Sequence, residues 1–174
     1  MCGPFPVAVL LGACALAAAC SPTLDWREVR VDDTGLTAML PCKPEKGARE
    51  VAMAGRPVKL QGLGCESGGA TFAVMFADLG DASRSAEVLA QWNRATLGNL
   101  RAADGQAEPF LPPGAIALPS SVQVQAAGQR ADGSKVASRA AYFARGARVF
   151  QAVVFAETLG TETTAPFFQG LRFE

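Results

Sequence analysis

The stretch Ala147 to Ala156 constrains the fold of this chain more than any other. Successive side chains of a strand point to opposite faces. Val149, Gln151, Val153 and Phe155 therefore fall on one face, and Phe150, Ala152 and Val154 on the other. Both faces are fairly apolar, so this strand needs cover on both sides, unlike a strand that is solvated on one face. Ser134 to Ala144 reads as its hairpin partner, turned at Arg145-Gly146. Asp132-Gly133 is a second hairpin signal, because both residue types tolerate the positive φ of a tight turn. Val122 and Val124 begin the strand before it.

The first half of the chain has the same period. Trp26 to Val31 alternates, Asp32-Asp33-Thr34-Gly35 is turn chemistry, and Leu36 to Leu40 returns as a strand stopped by Pro41 and Pro44. Arg49 to Met53, the turn Ala54-Gly55-Arg56-Pro57 and Val58 to Leu63 read as a hairpin. Gly62, Gly64, Gly68 and Gly69 surround Cys65 and suggest a bulge or tight bend. Ala70 to Ala77 is the most apolar strand and is expected near the sheet centre. The period then lengthens: Val88, Leu89, Trp92, Ala95, Thr96 and Leu100 share one helical face. Ser83 or Ser85 is the expected cap, with Glu87 in the first turn. Arg101 to Pro119, rich in Pro, Gly and Ala, reads as a long loop. Thr161 to Gly170 reads as a short helix carrying Phe167 and Phe168, after which Leu171-Arg172-Phe173 returns to the sheet. The expectation is one α+β domain over residues 26–174. It consists of an antiparallel sheet of about six to seven strands packed with one long central helix and a short C-terminal helix.

Residues 1–25 read differently. Met1 to Ala19 has no charged side chain, and Val7 to Ala19 is an apolar run ending in small residues before Cys20-Ser21-Pro22. An export signal combines an apolar stretch of about 7–15 residues with small residues at the cleavage site. Leu16-Ala17-Ala18-Ala19-Cys20 resembles the lipobox of a bacterial lipoprotein. That resemblance implies a signal peptide over 1–19, lipid attachment at Cys20 and a short tether over 20–25. Ser21 stands where an Asp would resemble the inner-membrane retention signal, so the implied address is the periplasmic face of the outer membrane. Three alternatives remain open: a lipobox at Leu11-Gly12-Ala13-Cys14, release after Ala17-Ala18-Ala19, and retention of the run as a membrane anchor. No Lys or Arg precedes Arg27, which leaves the n-region with only its α-amino charge.

Sixteen basic residues balance sixteen acidic ones, and the signs alternate along the chain. With no basic block to neutralise phosphates, no nucleic-acid partner is expected. Of five cysteines, Cys2 and Cys14 leave with the signal and Cys20 takes the lipid. Cys42 and Cys65 remain as a candidate disulfide in an oxidising compartment, the alternative being two separately buried thiols.

Leu36-Thr37-Ala38-Met39-Leu40-Pro41-Cys42-Lys43-Pro44 resembles the opening of the Mog1/PsbP-like proteins, an apolar strand followed by Pro, x, Lys, Pro. The close is similar as well: Arg148 to Val154 as a strand, a helix holding Phe167-Phe168, then Leu171-Arg172-Phe173. The resemblance implies an antiparallel sheet between helices. Members of that fold serve as photosystem accessory subunits, small-GTPase-binding proteins and envelope lipoproteins, and a shared fold does not license a shared function.

The chain contains no histidine, which removes Ser-His-Asp and Cys-His nucleophile systems and most zinc sites. Gly62 to Gly68 misses the dinucleotide-binding spacing by one residue. Asp33-Thr34-Gly35 spells the aspartic-protease triplet, but Asp32 stands where that family has an apolar residue, and a turn is the better reading. Lys43 beside Cys42 could activate a thiol. Tyr142, Phe143, Phe150 and Phe155 could line an apolar pocket, with core packing as the simpler reading. Arg139, Arg145 and Arg148 could meet an acidic partner or lipid headgroups around one hairpin. The expectation is a non-enzymatic chain without cofactor or metal. It would be joined to a membrane through the lipid on Cys20 and act as a binding or accessory module for an envelope protein. The alternatives are a binder of a small apolar ligand or lipid, and a thiol-dependent enzyme using Cys42 or Cys65.

Overall fold

The computed structural model describes residues 23–174. Residues 1–22, on which the expected signal segment, the expected lipid attachment at Cys20 and the start of the expected tether fall, lie outside the described residues.

Strands β1 (Arg27–Val31) and β2 (Leu36–Leu40) pair through the turn at Asp32 to Gly35. Thr34 closes that turn, its hydroxyl donating to the Val31 carbonyl at 2.6 Å and accepting from the Leu36 amide at 3.1 Å. The aspartic-protease triplet is thus turn chemistry, and Asp33 is spent on Arg148 at the surface. Strands β3 (Glu45–Met53), β4 (Arg56–Ser67) and β5 (Ala70–Asp78) form a meander. Helix α1 (Ser85–Asn99) follows, then β6 (Gln106–Pro109), β7 (Val122–Gln129), β8 (Lys135–Arg145) and β9 (Arg148–Ala156). Helix α2 (Thr161–Gln169) and β10 (Arg172–Phe173) end the chain.

Seven strands form one antiparallel sheet in the order β3-β4-β5-β9-β8-β7-β6. Strand β9 is its centre, one place from the position expected of Ala70 to Ala77. From Val149 to Val154 it is buried on both faces, as its two apolar sides require.

Above one face, Val88 and Leu89 of α1 pack on Ala140, Tyr142, Val149 and Val153. Above the other face, α2 and a separate three-stranded sheet, β1-β2-β10, form the second layer. The apolar residues Val31, Leu36, Ala38 and Leu40 face down onto Phe72, Phe143, Phe150 and Phe167, all fully buried. Phe143 and Phe150 stack with ring centres 5.3 Å apart, and Phe167 meets Phe72 edge-on at 5.6 Å. Each buried phenylalanine contributes about 1.5–3 kcal/mol through burial, so this aromatic layer holds the second layer onto the sheet.

Three sequence readings change, and one left open is resolved. Strands β1 and β2 do not join the main sheet but cover it. The helix start belongs to neither serine: Asp81 accepts from the Ser83 amide at 2.9 Å and the Ser83 hydroxyl at 2.7 Å, capping a 3₁₀ turn over Ala82–Arg84 that runs into α1. Ser85 is the first helical residue, and its hydroxyl donates to the Gly146 carbonyl at 3.3 Å. The expected loop over Arg101 to Pro119 contains β6, an edge strand whose exposed Gln-Ala-Glu-Pro lacks any apolar alternation. Of the bulge or tight bend expected around Cys65, the structure has the bend: β4 pairs in continuous register with β3 and then with β5, and Gly68 and Gly69, both at positive φ, turn the chain between β4 and β5.

Candidate functional site

Helix α1 covers only part of its face of the sheet. Opposed residues of an antiparallel pair share a face, so one row runs across from β3 to β8. Gly47 faces Gly62, Gly62 faces Met75, Met75 faces Gln151 and Gln151 faces Tyr142. The Tyr142 and Gln151 end of this row lies under α1. The glycine end lies open.

Two adjoining depressions result. One, of about 250 Å³, lies between α1 and β3, where Val51, Met53 and Leu60 face Val88, Trp92 and Thr96. The other, of about 410 Å³, lies over β3, β4 and β5, floored by Gly47, Gly62, Gly64, Ala73 and Met75. They share Arg49 and Leu60, so they form one groove along the flank of the helix.

The glycine floor follows from packing. A Cβ at Gly64 would stand 2.7 Å from the Phe72 carbonyl oxygen, and one at Gly62 would stand 2.9 Å from both the Val74 carbonyl oxygen and Met75 Cγ. Strand β5 approaches too closely for any side chain there. Gly47 differs, because a Cβ there would meet nothing within 4 Å and would project into open groove. Glu45 and Arg49 supply the charges of the lining.

The wall formed by α1 is fixed by a buried polar relay. Gln151 Nε2 donates to Tyr142 Oη and to Thr96 Oγ1, both at 2.9 Å, and the Thr96 hydroxyl donates to the Trp92 carbonyl at 3.0 Å. The Trp92 ring meets Tyr142 edge-on at 6.4 Å. Burial pushes the Tyr142 phenol above its ordinary pKa, with the hydrogen bonds to Thr96 and Gln151 opposing. It is a neutral structural hydroxyl, and the groove it supports offers apolar contact and two charges.

No family model and no curated protein matches this chain. Among solved structures, a chain from Pseudomonas aeruginosa, a protein of unknown function put forward as a regulator, is similar at 14% identity and TM-score 0.35. The alignment covers 81% of this chain and 89% of that one.

The residues singled out from sequence separate in space. Cys42 and Cys65 form a disulfide, with Cα atoms 6.0 Å apart, that ties the end of β2 to β4; neither carries a free thiol. The four aromatics do not line one pocket. Tyr142 and Phe155 belong to the α1 side, whereas Phe143 and Phe150 belong to the opposite core.

The three arginines do not form one patch either. Arg148 binds Asp33 and Asp78, with nitrogen–oxygen distances of 3.4 and 3.3 Å. Arg145 donates to the Glu174 carbonyl at 3.0 Å and lies over Phe173. Arg139 points to α2, donating to Thr164 Oγ1 at 3.1 Å above the Phe168 ring. The groove residues were missed from sequence, although glycines alternating at 62 and 64 beside an apolar strand were a readable sign of a bare sheet face.

Proposed function

We propose that this chain is an outer-membrane-anchored periplasmic lipoprotein whose domain acts as a non-catalytic binding module of the cell envelope, with the groove beside α1 as its recognition surface. The observation that carries the reading is the glycine-floored, largely apolar groove of about 410 Å³. Concave apolar surface with a few polar groups is what binding sites are made of. The Cys42–Cys65 bond suits an oxidising compartment. An antiparallel sheet between α1 and α2 is also the arrangement that the Mog1/PsbP-like resemblance implies.

The groove's apolar lining also supports the second reading, a small apolar ligand or lipid. One experiment addresses both. A photo-crosslinking residue in place of Ala95, on the helix wall, is activated in living cells with and without Gly47→Leu. The expected result is a recurrent adduct that the leucine abolishes while thermal stability is kept. A protein adduct supports the envelope module, and a lipid or small-molecule adduct supports the ligand binder. Adducts indifferent to Gly47→Leu would remove the groove from the function.

A further inference from the structure

The path by which the chain enters the domain sets how the domain faces the membrane. The Ser67 hydroxyl donates to the Thr23 carbonyl. The Leu24 side chain lies 3.4 Å from where a Cβ of Gly68 would be. The Asp25 amide donates to the Pro41 carbonyl at 2.9 Å, and the Trp26 ring stands edge-on to Phe72 at 5.8 Å. From Thr23 onward the chain is therefore held against the turn between β4 and β5. Only Ser21 and Pro22 separate Thr23 from Cys20. Three Cα steps of at most about 3.8 Å place Cys20 within roughly 11 Å of Thr23.

Arg130, in the turn between β7 and β8, borders the same end of the molecule. With Glu66 to Thr71 it lines a depression of about 430 Å³. Its guanidinium donates to the Lys135 carbonyl at 3.3 Å, and both side chains are exposed. Acidic groups at this end include Glu66, which accepts from the Thr71 hydroxyl at 3.4 Å, Asp132, which accepts from the Ser134 amide and hydroxyl, and the exposed Glu157, which follows Ala156, the β9 residue opposite Ala70 and Ala137. The opposite end, where Arg148 is paired with Asp33 and Asp78, lies at the far end of β5, about 26 Å away at 3.3 Å per residue.

We propose that the end of the domain bearing the Ser67 to Ala70 turn and Arg130 rests on the bilayer, with the Arg130 guanidinium on phospholipid phosphates. This rests on the reading of Cys20 as the lipidated residue. A tether this short keeps the Thr23 end at the bilayer, and with Arg130 on the phosphates the Asp33 end stands away from it. The groove consequently runs away from the membrane, from Glu45 near the bilayer toward Met53 at the distal end, and stays accessible to a partner.

The test uses the full chain expressed in a Gram-negative host, purified from its envelope and placed in nanodiscs of phosphatidylethanolamine and phosphatidylglycerol doped with a gadolinium-chelating lipid. The intact mass of the sample reports acylation of Cys20 on its own. An unacylated sample is coupled through the Cys20 thiol to a maleimide lipid, so orientation is read in either case. The expected result is several-fold stronger loss of amide NMR signal at Ser67 to Thr71 and Arg130 to Lys135 than at Asp33 to Gly35 and Asp81 to Ser83. Equal loss at both ends, or stronger loss at the Asp33 end, overturns the orientation. Arg130→Gln is expected to weaken the contrast in discs containing phosphatidylglycerol, and an unchanged contrast overturns the phosphate contact.

Discussion

Gln151 and Tyr142 are cross-strand partners at the centre of the sheet, and the Gln151 amide donates to the Tyr142 hydroxyl at 2.9 Å with both side chains buried. Buried polar groups are costly unless partnered. Here the partner is completed by Thr96 of α1, so the pair fixes where the helix sits and hence where the groove opens.

Tyr142→Phe removes one bond of the relay and is expected to cost about 1 kcal/mol, while Gln151→Leu also strands the Tyr142 hydroxyl and costs about 1–3 kcal/mol. The double variant should lose less than the sum, because the groups act as a unit. Urea unfolding of the three variants checks this, and strict additivity would contradict the relay.

The raised pKa of Tyr142 has a definite sign. The folded state holds the phenolic proton more tightly than the unfolded chain, whose phenol titrates near 10.0. The contribution is therefore fully present below pH 10 and falls as pH rises through the folded value. Thermal melts across alkaline pH should show a steeper loss in the wild type than in Tyr142→Phe.

Asp81 gives the opposite sign. Hydrogen bonds from the Ser83 hydroxyl and amide hold its carboxyl below the ordinary 3.8, so its contribution is present above that pH and is lost as pH falls through the lowered value. Asp81→Ala should lower the melting temperature at pH 7, and the difference should shrink in acid. A difference independent of pH would remove Asp81 from the cap.

Reducing Cys42–Cys65, or replacing both residues with Ala, is expected to cost about 3 kcal/mol in the chain-entropy account of a closed loop of this length. Calorimetry with and without reductant reads the shift. Alkylation of either cysteine before reduction would contradict the bond.

The glycines of the groove floor should behave unequally. Gly64→Ala places a methyl against the Phe72 carbonyl and is expected to cost about 1–3 kcal/mol. Gly47→Ala meets nothing and is expected to stabilise by about 0.5–1 kcal/mol through backbone entropy. Chemical denaturation of the two variants distinguishes crowding from a general effect of losing glycine.

What the sequence by itself determined is local. Alternation along Ser134 to Ala144 and Ala147 to Ala156 set two strands, turn chemistry at Arg145-Gly146 and Asp132-Gly133 set their hairpins, and apolar character on both sides of β9 required two covering layers. The face carrying Val88, Leu89 and Trp92 likewise set α1. Tertiary structure decided the rest. That β1 and β2 cover the sheet instead of joining it depends on which apolar face meets Phe72 and Phe150, and periodicity does not name a partner. Strand β6 exists only because β7 offers its edge, since Gln106 to Pro109 carries no pattern of its own. The groove exists because α1, held by Thr96 to Gln151, leaves the glycine stretch of β3 and β4 uncovered, and because β5 approaches β4 too closely for side chains at positions 62 and 64. Backbone preferences act over a few residues and leave their mark in sequence, whereas the distance between two packed strands is a property of the whole core.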